Sequence, residues 1–262
     1  GKTRGRMRSL LERAVVRWLY QVDPPTGVGL KVSTRITRFR ADVAAFWSKP
    51  VRNPHREGPR QILQPRRSMI VQCFVERDEC WPDCARATEL VPQLEARKAE
   101  RARAERFIQE TEPELRDGNV LFEEYAEWHY EDSTNHEYHR LQREIHQLER
   151  SLLQGTMFER LCSAEVADQL ILAVPAGVVA PEEMADGWGL LWVHDDLSVS
   201  VQKGPEMREC IGTNRLHLVQ NIASASSADV LFHSGIRVRG DGAVSLVQRP
   251  RGHRRTKKLS LK

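Results

Sequence analysis

The 262-residue sequence predicts a soluble α/β protein with one core domain and a helical insertion. Runs of β-prone, mostly apolar residues at 68–75, 168–175 and 187–194 predict strands, the first two buried inside a sheet. Apolar residues recur at spacings of three and four from Leu10 to Leu19, which is typical of an amphipathic helix. A stretch rich in Ala, Glu, Arg and Leu from about residue 83 predicts further helices between the strands at 68–75 and 168–175.

The segment between the first helix and the first buried strand predicts a hairpin followed by a loop. The helix is expected to end before Pro24, because a proline disfavours helical geometry in the residue before it. Residues 30–36 alternate apolar and polar side chains, and residues 39–47 follow after a short turn, so we expect two paired strands. Residues 48–67 contain four prolines and five arginines, which predicts an exposed loop.

The later elements follow from the same patterns. Helical spacing at 83–110 and 135–153 predicts a helical hairpin. Residues 197–202 follow a two-aspartate turn and complete an outer strand pair, and residues 207–223 hold a helix. Residues 244–262 are expected to be a mobile tail.

These elements predict three segments of different character. The α/β core comprises residues 1–82 and 166–205, the helical-hairpin insertion residues 83–165, and a C-terminal extension with a basic tail residues 206–262. An insertion of this length exceeds what a linker requires.

The net charge is only +4, but both ends of the chain are basic. The cations at the two ends are Lys2, Arg4, Arg6, Arg8, Arg249, Arg251, Arg254, Arg255, Lys257, Lys258 and Lys262. Such ends bind along phosphates and release counterions, and solubilising tails have the same composition, so both interpretations stay open.

The cysteine pattern and the apolar runs bear on location. Five cysteines form an odd set without regular spacing, and the N-terminal region has no apolar stretch typical of a signal peptide. We therefore expect the protein to reside in the reducing environment of the cytoplasm. Since no run approaches the roughly 18 apolar residues of a membrane-spanning helix, we expect no membrane association.

Two groups of side chains suggest binding sites and also have simpler explanations. Cys80 and Cys84 are spaced to share a metal ion, but zinc sites usually combine two short-spaced ligand pairs and only one is evident, so free or buried thiols are the alternative. His136 and His139 lie on one face of a predicted helix, where a polar surface explains them equally well.

Aromatic residues cluster in the insertion. They are Phe122, Tyr125, Trp128 and Tyr130. Such side chains stack on bases in nucleic-acid-binding proteins, and at helical spacing they also serve as packing residues.

Three local sequences resemble those of the PD-(D/E)xK nuclease superfamily, within it the MmcB-like group of predicted DNA-repair nucleases. The sequence RADVA at residues 40–44 is similar to that group's RADV segment, and IVQCFV at 70–75 lies where the group has a strand ending in Glu-x-Lys. LILAVP at 170–175, followed by GWGL at 187–190, is similar to its later strands. The resemblance covers residues 8–78 and 166–203 and leaves out the insertion.

The resemblance implies a restriction-endonuclease-like mixed sheet flanked by helices, and a Mg²⁺ (or Mn²⁺) site at one strand end. Such nucleases place carboxylates around the ion so that it binds the scissile phosphate and activates a water. Carried over to this chain, Asp42, Gln72 and Glu76 are the candidate catalytic residues, and Asp42, Gln72 and Glu12 the candidate metal ligands. The alternative for Asp42 is that it is an ordinary aspartate at a strand end. The alternative for Glu12 and Glu76 is that they are ordinary charged residues of the surface.

The sequence departs from the family pattern at its catalytic positions. Gln72 stands where the family carries Glu, and it offers a neutral carbonyl oxygen in place of a negative charge. Phe74 stands where the family carries Lys, and an aromatic ring supplies none of the charge that a lysine offers. Metal affinity and catalysis are both expected to be weaker than in the family.

DNA is the partner that the resemblance implies. The candidate nucleic-acid-binding residues are Arg40, Arg66, Arg67 and Arg77. The arginine-rich segment from Arg52 to Arg67 joins the second and third strands beside the predicted cleft, which suits contact with phosphates.

Two functional hypotheses follow. The first is a PD-(D/E)xK-like DNA-associated protein, either a Mg²⁺-dependent endonuclease with an altered site or a derived member that has lost cleavage. The second is a non-catalytic scaffold that binds a protein partner through residues 83–165. Retention of Asp42 supports the first, and Phe74 together with the long insertion supports the second.

Overall fold

A computed structural model describes most of the chain. The described residues are 2–55, 58–80, 87–116, 128–153 and 157–246. The chain forms two compact units, one of residues 1–80 and 160–262 and one of residues 81–159. In the described residues, no helix combines the length and the apolar character needed to cross a membrane.

The first unit is built on a six-stranded mixed sheet, which confirms the predicted α/β class. Its strands are β1 (Gly27–Ser33), β2 (Arg40–Arg52), β3 (Gln61–Cys73), β4 (Gln169–Pro175), β5 (Gly189–Val193) and β6 (Val199–Lys203). They lie in the order in which they occur along the chain. The pairs β3–β4 and β4–β5 are parallel, and the outer pairs are antiparallel.

Helices flank this sheet. Across both units, the α-helices in the described residues are α1 (Lys2–Val22), α2 (Arg77–Cys80), α3 (Ala87–Thr111), α4 (His136–Leu153), α5 (Met157–Ser163) and α6 (Gly212–Ser234), of which α1 and α6 pack on the sheet. The apolar stripe of α1, with Leu11 and Val15, packs on alternate residues of the central strands such as Val71 and Ile171. In α6, Leu218 and Ile222 are buried, and the helix contacts β1, β2 and β3. A short hairpin, β7 (Ile236–Val238) with β8 (Val244–Leu246), follows α6.

The second unit contains α3 and α4, the helices predicted for the insertion. Their contacts run in opposite directions along the chain: Arg97 bonds to Glu144 at 2.9 Å, and Arg101 bonds to Gln142 at 2.7 Å. Lys98 and Glu149, at 2.7 Å, form a buried ion pair. The two helices are therefore antiparallel neighbours.

The ends of one predicted loop and one helix boundary are wrong. Of the loop predicted at 48–67, residues 48–52 belong to β2 and residues 61–67 to β3, and only residues 53–60 connect these strands. Proline is tolerated there because β1 pairs with β2 only as far as Phe46, which leaves one edge of β2 free of partners. The predicted tail begins with strand β8, and its remainder lies outside the described residues. The predicted helix at 207–223 begins later, at Gly212, and runs to Ser234, where Gly235 ends it with a φ of 68°.

The close approach of α6 to β1 requires a glycine, which gives a testable prediction. A Cβ at Gly29 would lie 2.9 Å from Val32 Cγ2 and 3.3 Å from the carbonyl oxygen of Ile222 in α6. Gly29→Ala is expected to lower the free energy of unfolding by about 1–2 kcal/mol, the usual cost of overpacking. Gly204→Ala, whose Cβ meets nothing within 4 Å, is the matched control and should change it by less than about 0.5 kcal/mol in the same denaturant titration.

Candidate functional site

Asp42 lies on β2 between two strands that both contact it. The pairing of Val43 with Leu30 and with Val71 places Asp42 beside Lys31 of β1 and Gln72 of β3. Its carboxylate is buried, and Oδ2 accepts the backbone N–H of Cys73 at 2.8 Å. Gln72 is brought to Asp42 as the sequence predicts, and its side-chain oxygen accepts the backbone N–H of Asp42 at 2.9 Å.

Lys31 is the residue at this site that sequence reasoning missed. Its ammonium Nζ lies 2.6 Å from Oδ1 of Asp42 and also donates a hydrogen bond to the carboxylate of Glu12. The backbone φ of Lys31 is 52°, a left-handed conformation that side chains other than glycine adopt at a cost of about 1–2 kcal/mol. The two carboxylates offset this cost, since they hold the ammonium in place.

Glu12 comes from α1, so its contact with Lys31 links the helix to the sheet. The side chain is 7% exposed. Burial raises the pKa of Glu12 above its ordinary value, and the hydrogen bond and charge of Lys31 counter only part of this effect. Burial alone would lower the pKa of Lys31, but the hydrogen bonds and charges of Asp42 and Glu12 outweigh it and raise that pKa. Lys31 is therefore a protonated ammonium at neutral pH.

Arg8, one turn before Glu12 on α1, completes the charged group. Its Nη2 lies 3.2 Å from Oδ2 of Asp42, and its guanidinium stacks over the ring of Phe74 at 5.3 Å from the ring centre. Arg8, Glu12, Lys31 and Asp42 together form what we call the Asp42 cluster. The positive charges of Arg8 and Lys31 balance the two carboxylates in this cluster, and the ring of Phe74 contacts the guanidinium of Arg8.

Cys73 follows Gln72 and faces the same charges. Burial raises the pKa of its thiol well above the ordinary value, and the negative charges of Asp42 and Glu12 add to the effect. The thiol therefore stays protonated and uncharged beside the cluster.

Glu76, the third predicted catalytic residue, is engaged elsewhere. Its carboxylate bonds to Arg4 on α1, and about half of its side chain is exposed. Arg4 also lies 3.9 Å from Glu79, whose other oxygen accepts the backbone N–H of Val75 at 2.8 Å. These contacts hold the turn that follows β3, and they place Glu76 in an ion pair at the surface.

The four arginines predicted to bind nucleic acid differ in their availability. Arg40 and Arg66 are exposed. Arg67 stacks on Trp47 at 3.9 Å and bonds to Asp23. Arg77 holds the buried carboxylate of Glu183 through two hydrogen bonds, one of 2.8 Å.

The predicted metal and histidine sites gain no support from geometry. Cys80 is buried, and its thiol donates a hydrogen bond to the backbone oxygen of Glu76 at 3.9 Å. Cys84 lies outside the described residues. His139 bonds to the backbone carbonyl of Ser133 at 2.7 Å, a structural contact at the start of α4. His136 is an exposed residue at the first position of α4.

The described aromatic residues of the insertion contact one another. Trp128 stacks on Tyr130 with ring centres 6.1 Å apart, and Tyr130 lies 5.8 Å from Tyr138 on α4. Phe122 and Tyr125 lie outside the described residues. Nearby, His129, Glu131 and Asp132 bring their ligand atoms within 4.8 Å of one another, but all three are exposed.

Lys31 could not be recognised from the sequence, because its position depends on the register of the first hairpin. The structure pairs Leu30 with Val43, which places Lys31 opposite Asp42. The short turn predicted between residues 36 and 39 would place Ser33 opposite Asp42 instead. Arg8 gives a weak signal, because it is one helical turn before Glu12 on the same face.

Comparison with known proteins leaves the family open. No known family profile matches the sequence, and no curated protein matches it. Among solved structures, a protein of unknown function from Silicibacter pomeroyi is similar over 84% of this chain and 86% of its own, with 12% identity and a TM-score of 0.40.

Proposed function

We propose that the chain is a DNA-associated protein of the PD-(D/E)xK type that cleaves phosphodiester bonds with Mg²⁺ (or Mn²⁺). In this proposal Asp42 and Glu12 are the acidic residues, and Lys31 of β1 supplies the cation that Phe74 of β3 does not. The observation that carries the proposal is the position of the Lys31 ammonium, 2.6 Å from Asp42 and bonded also to Glu12. The strand motif itself has no lysine, because Phe74 stands at that position, and Lys31 places one beside Asp42.

The donor atoms suit a hard divalent cation. Mg²⁺ favours carboxylate oxygens and keeps several waters, so one or two carboxylates are sufficient ligands. Asp42 and Glu12 direct one oxygen each at a common point, which the Lys31 ammonium occupies. The Lys31 side chain is 47% exposed, so it has room to withdraw toward solvent when another cation binds. Gln72 would add a neutral oxygen beside them.

The residues of the cluster have separate roles in this proposal. A bound Mg²⁺ supplies charge to a phosphate oxygen and lowers the pKa of a water. Lys31, whose pKa is raised, donates hydrogen bonds to phosphate oxygens and does not accept a proton. Burial raises the pKa of Glu12, so this carboxyl must lose its proton before it can hold the cation. We place the activity in the cytoplasm, in keeping with the free thiols of Cys73, Cys80, Cys162 and Cys210.

The test is cleavage of supercoiled and linear DNA by the purified full chain with Mg²⁺ or Mn²⁺. Asp42→Asn is expected to lower the rate about 10²-fold, since Asn keeps one ligand oxygen but removes the charge. Asp195→Asn is the matched control, because Asp195 is exposed in the turn between β5 and β6 and should leave the rate unchanged.

Two results would overturn the proposal. One is the absence of nicking by the wild-type protein in either metal. The other is cleavage by Asp42→Asn at the wild-type rate, which would identify a contaminating nuclease.

A second candidate function is a non-catalytic scaffold, and one observation favours it. Both oxygens of Asp42 are covered by the protein's own donors, Oδ1 by Lys31 and Oδ2 by Arg8 and the Cys73 N–H. In this hypothesis the two cations replace the metal permanently, and the helices of residues 83–165 bind a protein. Phe107 on α3, 57% exposed, is the candidate contact.

A further inference from the structure

The part of the chain predicted to be a loop is a two-stranded ribbon that extends beyond the sheet. Residues 48–52 of β2 pair with residues 61–65 of β3, and residues 53–60 connect them. Neighbouring strands are paired only further in, since β1 reaches Phe46 and β4 begins opposite Met69. Five residue pairs at about 3.4 Å each give an arm of roughly 17 Å before its tip. We call residues 48–55 and 58–65 the basic ribbon.

The described part of the basic ribbon is positively charged. In the residues of the arm that the structure describes, the charged side chains are Lys49, Arg52 and Arg60, and none forms an ion pair with another described residue. At the base of the arm, Arg67 is by contrast stacked on Trp47 and bonded to Asp23. Arg67 therefore stabilises the base of the arm, while Lys49, Arg52 and Arg60 are available to bind a ligand.

Apolar side chains on the same arm are exposed. Leu63 is 67% exposed, and its neighbour Ile62 also projects into solvent. An isolated two-stranded ribbon is marginally stable in water, so exposed apolar residues on such an arm point to a surface that covers them. Gln61 and Gln64 place amide groups, which both donate and accept, beside these residues.

The chemistry of the arm favours nucleic acid over an added protein strand. A partner strand needs a free edge of N–H groups, but Pro50 and Pro65 remove one from each strand, and Lys49 and Arg52 add repelling charges. A two-stranded ribbon fits the major groove of duplex DNA, and apolar wedges next to cations are typical of minor-groove binding. Both grooves offer phosphates on either side of the arm.

We propose that the basic ribbon enters a groove of duplex DNA, with Lys49, Arg52 and Arg60 on phosphates and Leu63 against sugars or base edges. This inference rests on the proposed function for the choice of DNA, and it adds that the substrate is a duplex. The ribbon lies in the same unit as the Asp42 cluster and shares strand β2 with Asp42, which lies near the start of that strand while the ribbon forms its end.

The test is the affinity of the full chain for a short DNA duplex, measured by fluorescence anisotropy over a range of salt concentrations without a divalent cation. The triple variant Lys49→Ala, Arg52→Ala, Arg60→Ala should lower the affinity at least 10-fold and reduce the salt slope by about 2–3, near 0.9 per lost phosphate contact. The charge-matched control is Arg13→Ala, Arg237→Ala, Arg239→Ala, which removes three other exposed cations. It should lower the affinity less than the ribbon triple does.

Further variants protect the test against misfolding. The triple variant Lys49→Arg, Arg52→Lys, Arg60→Lys keeps the charge and should retain duplex binding. The circular dichroism spectra of this variant and of the ribbon alanine triple should match that of the wild type. Leu63→Ser should weaken duplex binding without changing the salt slope, because it removes no charge.

The outcomes separate this inference from the proposed cleavage. Equal losses in the ribbon triple and the control triple, tighter binding of single strands than of duplex, or no duplex binding at all would overturn the ribbon proposal. If the ribbon triple alone weakens binding while no metal supports cleavage, the ribbon proposal stands and the proposed nuclease activity fails. If the wild type cleaves DNA and the ribbon triple cleaves and binds DNA as the wild type does, the proposed nuclease activity stands and the ribbon proposal fails.

Discussion

Replacing Asp168 by Asn is expected to lower the free energy of unfolding by about 3–5 kcal/mol, the cost of breaking a buried ion pair by removing one partner. Asp168 precedes β4, and its side chain is fully buried. It receives two hydrogen bonds from Arg215 of α6, at 2.8 and 2.6 Å. The variant would leave the Arg215 guanidinium mostly buried without a counter-charge.

The same carboxylate also binds backbone groups from two other segments. The N–H of Ser68 on β3 lies 2.7 Å from Oδ2, and the N–H of Cys210 before α6 lies 2.8 Å from Oδ1. Asp168 therefore joins β3, β4 and α6 at one point. Asn has one acceptor oxygen, so at least one of these donors loses its partner in addition to the lost charge.

Urea denaturation of the variant and of the wild type measures this effect. Asp195→Asn, an exposed aspartate, is the control and should change the free energy of unfolding by less than about 0.5 kcal/mol. A loss in Asp168→Asn no larger than that of the control would contradict the prediction.

The acid side of the stability curve gives a second measurement. Burial alone would raise the pKa of Asp168, but its hydrogen bonds from Arg215, Cys210 and Ser68 outweigh burial and lower it. A lowered pKa means that this group stabilises the fold above its ordinary value of 3.8 and that the contribution is lost as the pH falls through the lower folded value. Asp168→Asn should therefore lose less stability than the wild type on acidification.

The sequence predicted the sheet because its central strands have a local signal. Residues 170–175 of β4 form a continuous apolar run, which predicts the burial on both faces that residues 170–174 show. The composition of the ribbon instead predicted a loop, since prolines and arginines are typical of exposed loops. Pairing between the two strands outweighed that composition, and the exposed outer edge of β2 made the prolines acceptable.

The candidate site was predictable only where its parts are close in sequence or follow a family pattern. Asp42 and Gln72 followed from the resemblance, but Lys31 depends on the register of a hairpin and Arg8 on the docking of a helix. The ion pair of Asp168 with Arg215 joins residues 47 apart, and its bond to Ser68 spans 100 residues. Such pairings have no local signal, because the tertiary fold alone brings these residues together.

Replacing Lys31 by Met is expected to lower the rate of DNA cleavage about 10²–10³-fold, the usual loss when one preorganised charge leaves an active site. Methionine keeps most of the length of the side chain and removes the ammonium that bonds to Asp42 and Glu12. Lys31→Arg keeps a charge at this position and should retain more of the rate than Lys31→Met, although its planar group fits a different geometry.

The pH dependence of cleavage separates this role from a structural one. Wild-type cleavage should increase with pH through the raised pKa of Glu12, since only the deprotonated carboxylate binds the cation. The hydrogen bond and charge of Lys31 lower that pKa, so Lys31→Met should move the rise to higher pH. A variant that is only less well folded would lose rate at every pH without moving the profile, and a profile unchanged in both position and rate would contradict the proposed role.

The same variant distinguishes the nuclease from the scaffold through metal binding. If Lys31 yields its place to Mg²⁺, thermal unfolding of the wild type should shift to higher temperature as Mg²⁺ is added, because a ligand of the native state stabilises it. If Lys31 and Arg8 replace the metal permanently, the wild type should not respond. Lys31→Met, which leaves Asp42 and Glu12 with one cation fewer, should then gain the Mg²⁺-dependent shift that the wild type lacks.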